Sequence, residues 1–148
     1  MARYIARVWS AWTPERAFAF MADMRTFPTW DPGVTRVTQV RGEGDGPDAV
    51  FDVTVAGFPR DLTLRYATEH HDPGREVLLV GRGFGLTSTD RITVTPAGDG
   101  ALVTYDADLS LPGPLRLGDL ALRPAFQRIG GRAERGMRAA LTQAPVVP

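Results

Sequence analysis

The sequence predicts an α+β fold: an antiparallel sheet of about seven strands covered on one side by a long C-terminal helix, with two short helices after the first strand. Three observations predict it. Near the C-terminus, Phe126, Ile129, Ala133, Met137, Ala140 and Leu141 recur at spacings of three and four, the stripe of a helix with one apolar face. Between residues 34 and 111, alternating runs are broken by turn residues roughly every ten positions, the pattern of an antiparallel meander. Ahead of the meander, the period shifts from that of a strand to that of a helix just after residue 12.

The first strand spans 3–10, with Tyr4, Ala6, Val8 and Ser10 on one side and Arg3, Ile5, Arg7 and Trp9 on the other. Thr13 then has the chemistry of an N-cap, Pro14 that of a first helical residue and Glu15 that of a first-turn acid, while Ala17, Phe18, Met21 and Ala22 form a stripe ending near Asp23. A short helical turn is expected over 24–28, after which Pro28, Pro32 and Gly33 force a bend around Trp30 and Asp31. Six strands follow, over 34–40, 50–56, 60–69, 76–83, 86–95 and 101–111. The intervening turns lie at 41–48, Gly57-Phe58-Pro59, His71-Asp72-Pro73-Gly74, Phe84-Gly85 and 96–100. Leu62, Leu64 and Tyr66 share a face, as do Ile92 and Val94, and Val103, Tyr105, Ala107, Leu109 and Leu111. The opposite faces carry Thr63, Arg65, Thr89, Arg91, Thr104, Asp106 and Asp108, so one side is wet and the other covered.

The last stretch, 114–142, is the one helix long enough to cross the domain. Pro124 lacks an N–H and is expected to open its main part or to kink it, which leaves a rod of ~28 Å to residue 142. Gly130, Gly131 and Gly136 lie inside it, each costing about 1 kcal/mol relative to Ala. Two readings remain open: the glycines permit close packing on the sheet, or they leave a cavity that a ligand fills.

At 148 residues the chain is long enough to bury about 68–70% of its unfolded surface. It is read as one domain over 1–143 with a loose tail over 144–148. The formal net charge is zero, which gives no global field for nucleic acid or an anionic membrane. The absence of Cys excludes disulfides, thiolate metal sites and a Cys nucleophile. No apolar run reaches the ~18 residues of a membrane span, and a cytoplasmic protein, monomeric or weakly dimeric, is expected.

The segments Thr13-Pro14-Glu15-Arg16-Ala17-Phe18-Ala19-Phe20-Met21-Ala22-Asp23 and Phe27-Pro28-Thr29-Trp30-Asp31-Pro32, supported by the Asp72-Pro73-Gly74 turn, the strand opening at Gly100 and the C-terminal helix, resemble the START-like (SRPBCC) helix-grip superfamily. Within it, the likeness is to the polyketide cyclase/dehydrase-like group. It spans nearly the whole chain, and its motifs specify the fold better than any activity. Trp12 departs from the Pro that members often carry there, which bears on strand-helix geometry. The resemblance implies a helix-grip fold, a curved sheet wrapped round the last helix, enclosing an apolar cavity for lipids, polyketides, sterol-like or aromatic molecules.

In this sequence the wall of such a cavity would come from Leu62, Leu64, Tyr66, Leu86, Ile92, Val103, Tyr105, Phe126, Ile129, Ala133 and Met137. Ser88 and Asp90 are in phase with Leu86 and Ile92, which places a carboxylate on the covered face. A buried carboxylate needs a partner or a raised pKa. It either pairs with an Arg such as Arg82, turns to solvent, or faces the cavity beside Tyr66 or Tyr105, where it could orient a hydroxyl or act as a general base. Trp30 is read as a structural plug or as a wall of the pocket mouth, and Phe84 as a gate on a flexible hairpin.

His70 and His71 are adjacent, point to opposite faces and make no metal site. The run Gly81-Arg82-Gly83-Phe84-Gly85 lacks the Lys-Ser/Thr and helix of a phosphate loop, and Asp45 and Asp48 lack an EF-hand pattern. Neither metal nor cofactor is expected. Three functions remain: binding of a hydrophobic small molecule; a polyketide cyclase/dehydratase with Asp90, Tyr66 and Tyr105 as acid-base groups; and a non-catalytic interaction module whose cavity is filled by its own side chains.

Overall fold

The computed structural model describes residues 2–57, 60–111 and 119–143. Their order is β1 (Ala2–Ser10), α1 (Pro14–Ala22), a 3-10 turn (Met24–Thr26), α2 (Phe27–Trp30), β2 (Val34–Arg41), β3 (Val50–Val55), β4 (Leu62–Asp72), β5 (Glu76–Gly83), β6 (Leu86–Ala97), β7 (Gly100–Ser110) and α3 (Asp119–Leu141). The expected tail over 144–148, residues 58 and 59 of the second turn and residues 114–118 of the last stretch lie outside the described residues.

All seven strands join one antiparallel sheet in the order β1-β7-β6-β5-β4-β3-β2. Hairpins carry the chain from β2 to β7, and β1 then pairs with β7, Ala2 opposite Leu109 and Ser10 opposite Ala101. Ala6, Val8 and Ser10 are buried while Arg3, Ile5, Arg7 and Trp9 face outward, as the alternation predicts. The Thr13 hydroxyl accepts from the Arg16 N–H at 3.3 Å to start α1, and Pro14 occupies its first turn. Asp23 closes α1 and in turn caps the 3-10 turn, its Oδ1 accepting from the Arg25 N–H at 3.0 Å. α1 covers β6 and β7 with Ala17, Phe18, Met21 and Ala22, and α3 lies against β1 and α2.

The structure amends three expectations. α3 begins upstream of Pro124, which sits inside the helix, so the rod of 23 residues is ~34 Å long. β4 starts at Leu62 and continues through both histidines to Asp72, past an irregularity between Thr68 and His70. That extension buries His71, whose Nε2 lies 2.9 Å from Asp45 Oδ2, a link between the long turn after β2 and the end of β4. Among the described residues no group of His, Asp and Glu is arranged to hold a metal, and no helix is long and apolar enough to cross a membrane.

The glycines of α3 divide their labour. A Cβ on Gly136 would collide with the carbonyl oxygen of Trp30, and one on Gly130 with the ring of Tyr4. At these two points the helix is drawn tight against its neighbours. Gly131 faces open space, with only the Arg135 guanidinium near. The helix thus makes close contact at Gly136 and Gly130 and borders a void beside Gly130 and Ala133.

Candidate functional site

The void is a cavity of about 270 Å³ between α3 and the concave face of the sheet. Its apolar wall is made by Val53 and Val55 of β3, Leu62 and Leu64 of β4, Leu86 of β6, Ala107 and Leu109 of β7, and Phe126, Ile129, Gly130 and Ala133 of α3. Tyr4, Met24, Phe27, Val34 and Ala56 complete it. Ile129, half exposed, stands beside Gly33, and Ala56 is exposed, so solvent reaches this part of the wall.

The polar groups converge at the inner end, and the sheet register explains how. Asp90 sits on β6 between Leu79 and Ala107, with Ser88 two residues back on the same face. Tyr66, Gly81 and Ser88 form one row across three strands. Because Gly81 has no side chain, the Tyr66 ring can lie across β5 toward Ser88; a Cβ there would stand 2.5 Å from the ring. Tyr105 of β7 donates its hydroxyl to Asp90 Oδ2 at 2.9 Å, and Asp90 is only 3% exposed. Nearer the mouth, Asp31 ends α2 and folds back so that its Oδ1 accepts from the Gly33 N–H at 2.8 Å.

These surroundings shift the titrations. Burial pushes the Asp90 carboxyl up to about 7, opposed by the hydrogen bonds of Tyr105 and Ser88 and reinforced by the charge of Asp31. Asp31 is raised as well, by burial and against its bond from Gly33. Burial drives the Tyr66 and Tyr105 hydroxyls well above the ordinary phenol range, and the Asp90 charge adds to both. Burial therefore favours the protonated form of both phenols and raises both carboxyls, that of Asp90 toward neutral pH.

Among the residues expected from sequence, Tyr66, Asp90, Tyr105, Ser88, Leu62, Leu64, Leu86, Phe126, Ile129 and Ala133 meet at this cavity. Five others do not line it. Ile92, Val103 and Met137 are fully buried in the solid core. Ile92 and Val103 lie on β6 and β7, the strands that α1 packs against, and share one buried core with Ala17, Phe18 and Met21. Trp30 plugs the floor behind the wall, its ring 4.6 Å from Phe27 and 5.5 Å from Tyr105, with its indole N–H buried and without an acceptor among the described residues. Phe84 is 70% exposed at a hairpin tip where both Phe84 (φ 56°) and Gly85 (φ 77°) are left-handed, a two-residue turn of the primed type. Arg82, the partner considered for Asp90, instead donates to Glu69 at 3.0 Å on the outer face.

Sequence reasoning missed Asp31 and Tyr4 as site residues. The bend at Trp30-Asp31-Pro32 was legible only as punctuation, yet an Asp that folds its own backbone also points a carboxylate at whatever the bend encloses. Tyr4 shares the inner face with Ala6 and Val8, and its hydroxyl donates to Glu134 Oε1 at 3.0 Å, tying β1 to α3 beside the cavity.

A profile of the family described as polyketide cyclase/dehydrase and lipid transport matches residues 1–142. No curated protein matches the sequence. Among solved structures, the chain is similar to TTHA0849 from Thermus thermophilus at a TM-score of 0.75 and 13% identity, covering 94% of this chain and 96% of that one. It is similar to a START superfamily protein from Mycobacterium smegmatis at 0.70 and 14% identity, over 95% and 97% of the two chains. It is also similar to the di-domain ARO/CYC StfQ from the steffimycin biosynthetic pathway, at 0.68 and 16% identity over 95% of this chain and 50% of that one. At such identities these likenesses establish the helix-grip fold.

Proposed function

Because this chain belongs to the polyketide cyclase/dehydrase and lipid-transport family, we propose that it binds a hydrophobic small molecule, of lipid, polyketide or aromatic type, in the cavity between α3 and the sheet. The observation that carries this reading is the unfilled, largely apolar volume of about 270 Å³ closed at its inner end by Asp90, Tyr105, Tyr66 and Ser88. Pockets that hold small molecules combine a broad apolar wall with a few convergent polar groups, and this one lies just below their usual size of about 300–1,000 Å³. The same volume weighs against an interaction module filled by its own side chains. Residues 1–143 would act as one binding domain, as a monomer or weak homodimer. Native mass spectrometry before and after delipidation, followed by titration with fatty acids, sterols and aromatic polyketides, tests the reading. Mass adducts that vanish in Ala133→Phe, which plugs the cavity, support it; a bare-chain mass and no uptake of any of them overturn it.

A second reading is favoured by one observation, the Asp90 carboxyl held near neutrality beside the Tyr105 hydroxyl. In a cyclase or dehydratase, the Asp90 carboxylate would take a proton from an activated methylene while Tyr105 or Tyr66 donates a hydrogen bond to the developing oxyanion. The wall would hold the chain of the substrate in a folded shape. Turnover assays of Asp90→Asn and Tyr105→Phe test this directly, and unchanged rates in both remove these residues from the chemistry.

A further inference from the structure

Among the described residues the cavity contains two carboxylates and no counter-charge. Apart from Asp31 and Asp90, every described residue that lines it is uncharged. Four guanidiniums of the sheet are engaged elsewhere, Arg82 with Glu69, Arg65 with Asp52, Arg91 with Glu76 and Arg3 with Asp106, and no Arg lines the cavity among the described residues. Where hydrogen bonds do not offset the desolvation of a buried carboxylate, it takes up a proton or meets a cation. Burial favours the proton-bound form of Asp90, and a guest could bring the cation instead.

We infer that the cavity selects an apolar molecule of one or two rings bearing a single protonated amine, seated between Asp31 and Asp90, over neutral or anionic molecules of the same size. This deepens the hydrophobic-ligand reading and rests on it. An ammonium group offers three donors, and the cavity offers acceptors in the two carboxylates and the Ser88 hydroxyl, with the apolar remainder lying on Leu64, Val53 and Phe126. A fatty-acid carboxylate in the same seat would face like charge with no donor stronger than a phenol.

The selection is pH-dependent. Ser88 on its own strand, Tyr105 from β7, Tyr66 from β4 and Asp31 from the segment after α2 face Asp90, and Asp106 acts on it from the far side of β7. β5 presents Leu79 and Gly81 there, and α3 presents Ile129, Gly130 and Ala133, none of which titrates. Binding of an ammonium group must therefore expel the proton that Asp90 holds at low pH. Amine affinity rises as pH rises through the Asp90 titration, with proton release; affinity for a neutral alcohol stays flat.

The test is isothermal titration of the full chain with phenylpropylamine, phenylpropanol and phenylpropionate, which share one carbon skeleton. At about pH 8, above the Asp90 titration near 7, the amine is expected to bind about thirtyfold more tightly than the acid, the low end for a buried charge pair. Buffers of different ionisation enthalpy should report proton release at about pH 6.5 for the amine alone. Asp90→Asn and Asp31→Asn, each close to isosteric, should erase most of the preference of the amine over the alcohol, with far-UV circular dichroism and thermal unfolding showing that the variants fold. The inference is overturned if the acid or the alcohol binds as tightly as the amine, or if the double variant keeps the preference. Binding of phenylpropanol with no amine preference sinks this inference alone, whereas failure of all three probes to bind removes the hydrophobic-ligand reading with it.

Discussion

Replacing Asp90 by Asn should change not the stability of the protein so much as its dependence on pH. The carboxyl has an ordinary value of 3.8 and a folded value of about 7, so between these limits the native state holds a proton that the unfolded state has lost. Stability then falls as pH rises through this window, the reverse of the usual salt-bridged Asp. It is unaffected below the lower value and fully reduced above the upper one. Each tenfold change in proton affinity is worth about 1.4 kcal/mol, so the whole penalty approaches ~4 kcal/mol, of which about 2–3 kcal/mol accrues between about pH 5 and about pH 8. In Asp90→Asn this contribution disappears, and the Tyr105 hydroxyl can still donate to the amide oxygen. Urea unfolding of both proteins at the two pH values gives the measurement. The wild type should lose about 2–3 kcal/mol relative to the variant on going to the higher pH. A difference below about 0.5 kcal/mol, or one of opposite sign, would refute the claim that Asp90 is buried beside a second carboxylate without a cation.

Further expectations concern the glycines and one turn. Gly136→Ala should destabilise by about 1–3 kcal/mol because its Cβ meets the Trp30 carbonyl, while Gly131→Ala, in open space, should stabilise by up to about 1 kcal/mol through helix propensity; thermal unfolding distinguishes them. Gly81→Ala should displace the Tyr66 ring, costing about 1–3 kcal/mol and weakening ligand binding, which calorimetry with phenylpropanol would register. Phe84→Asn should raise stability by roughly 1 kcal/mol, since Asn tolerates the left-handed conformation, and should leave ligand affinity unchanged because Phe84 does not line the cavity.

What could be read from sequence was whatever repeats with a period. Alternation from Leu86 to Val94 puts Ser88 and Asp90 on the inner face, and the register confirms that phase. The spacing of Phe126, Ile129 and Ala133 likewise identifies the wall that α3 supplies. Period alone does not say how far along an element the covering layer reaches. Ile92 and Val103 share a face with Asp90 and Tyr105, yet they, like Met137, belong to the solid buried core that α1 shares with β6 and β7. Asp31 escaped for a related reason: its position depends on a single bend, with no repeat to amplify the signal. The glycines of α3 could not be resolved from sequence because their meaning depends on what stands opposite, a ring at Gly130, a carbonyl at Gly136 and nothing at Gly131.

The pairing of β1 with β7 joins the second residue of the chain to the hundred-and-ninth. During synthesis, β1 emerges first and must wait as a lone ribbon, with Ile5 and Trp9 on one side and Ala6 and Val8 on the other, until nearly everything else has been made. The container acquires its floor and its lid together, since Tyr4 meets α3 only after β7 has received β1. A ribosome-bound fragment that stops short of β7 would carry an unpaired edge prone to sticking and no compartment at all, so the ability to hold a guest arrives in a single late step.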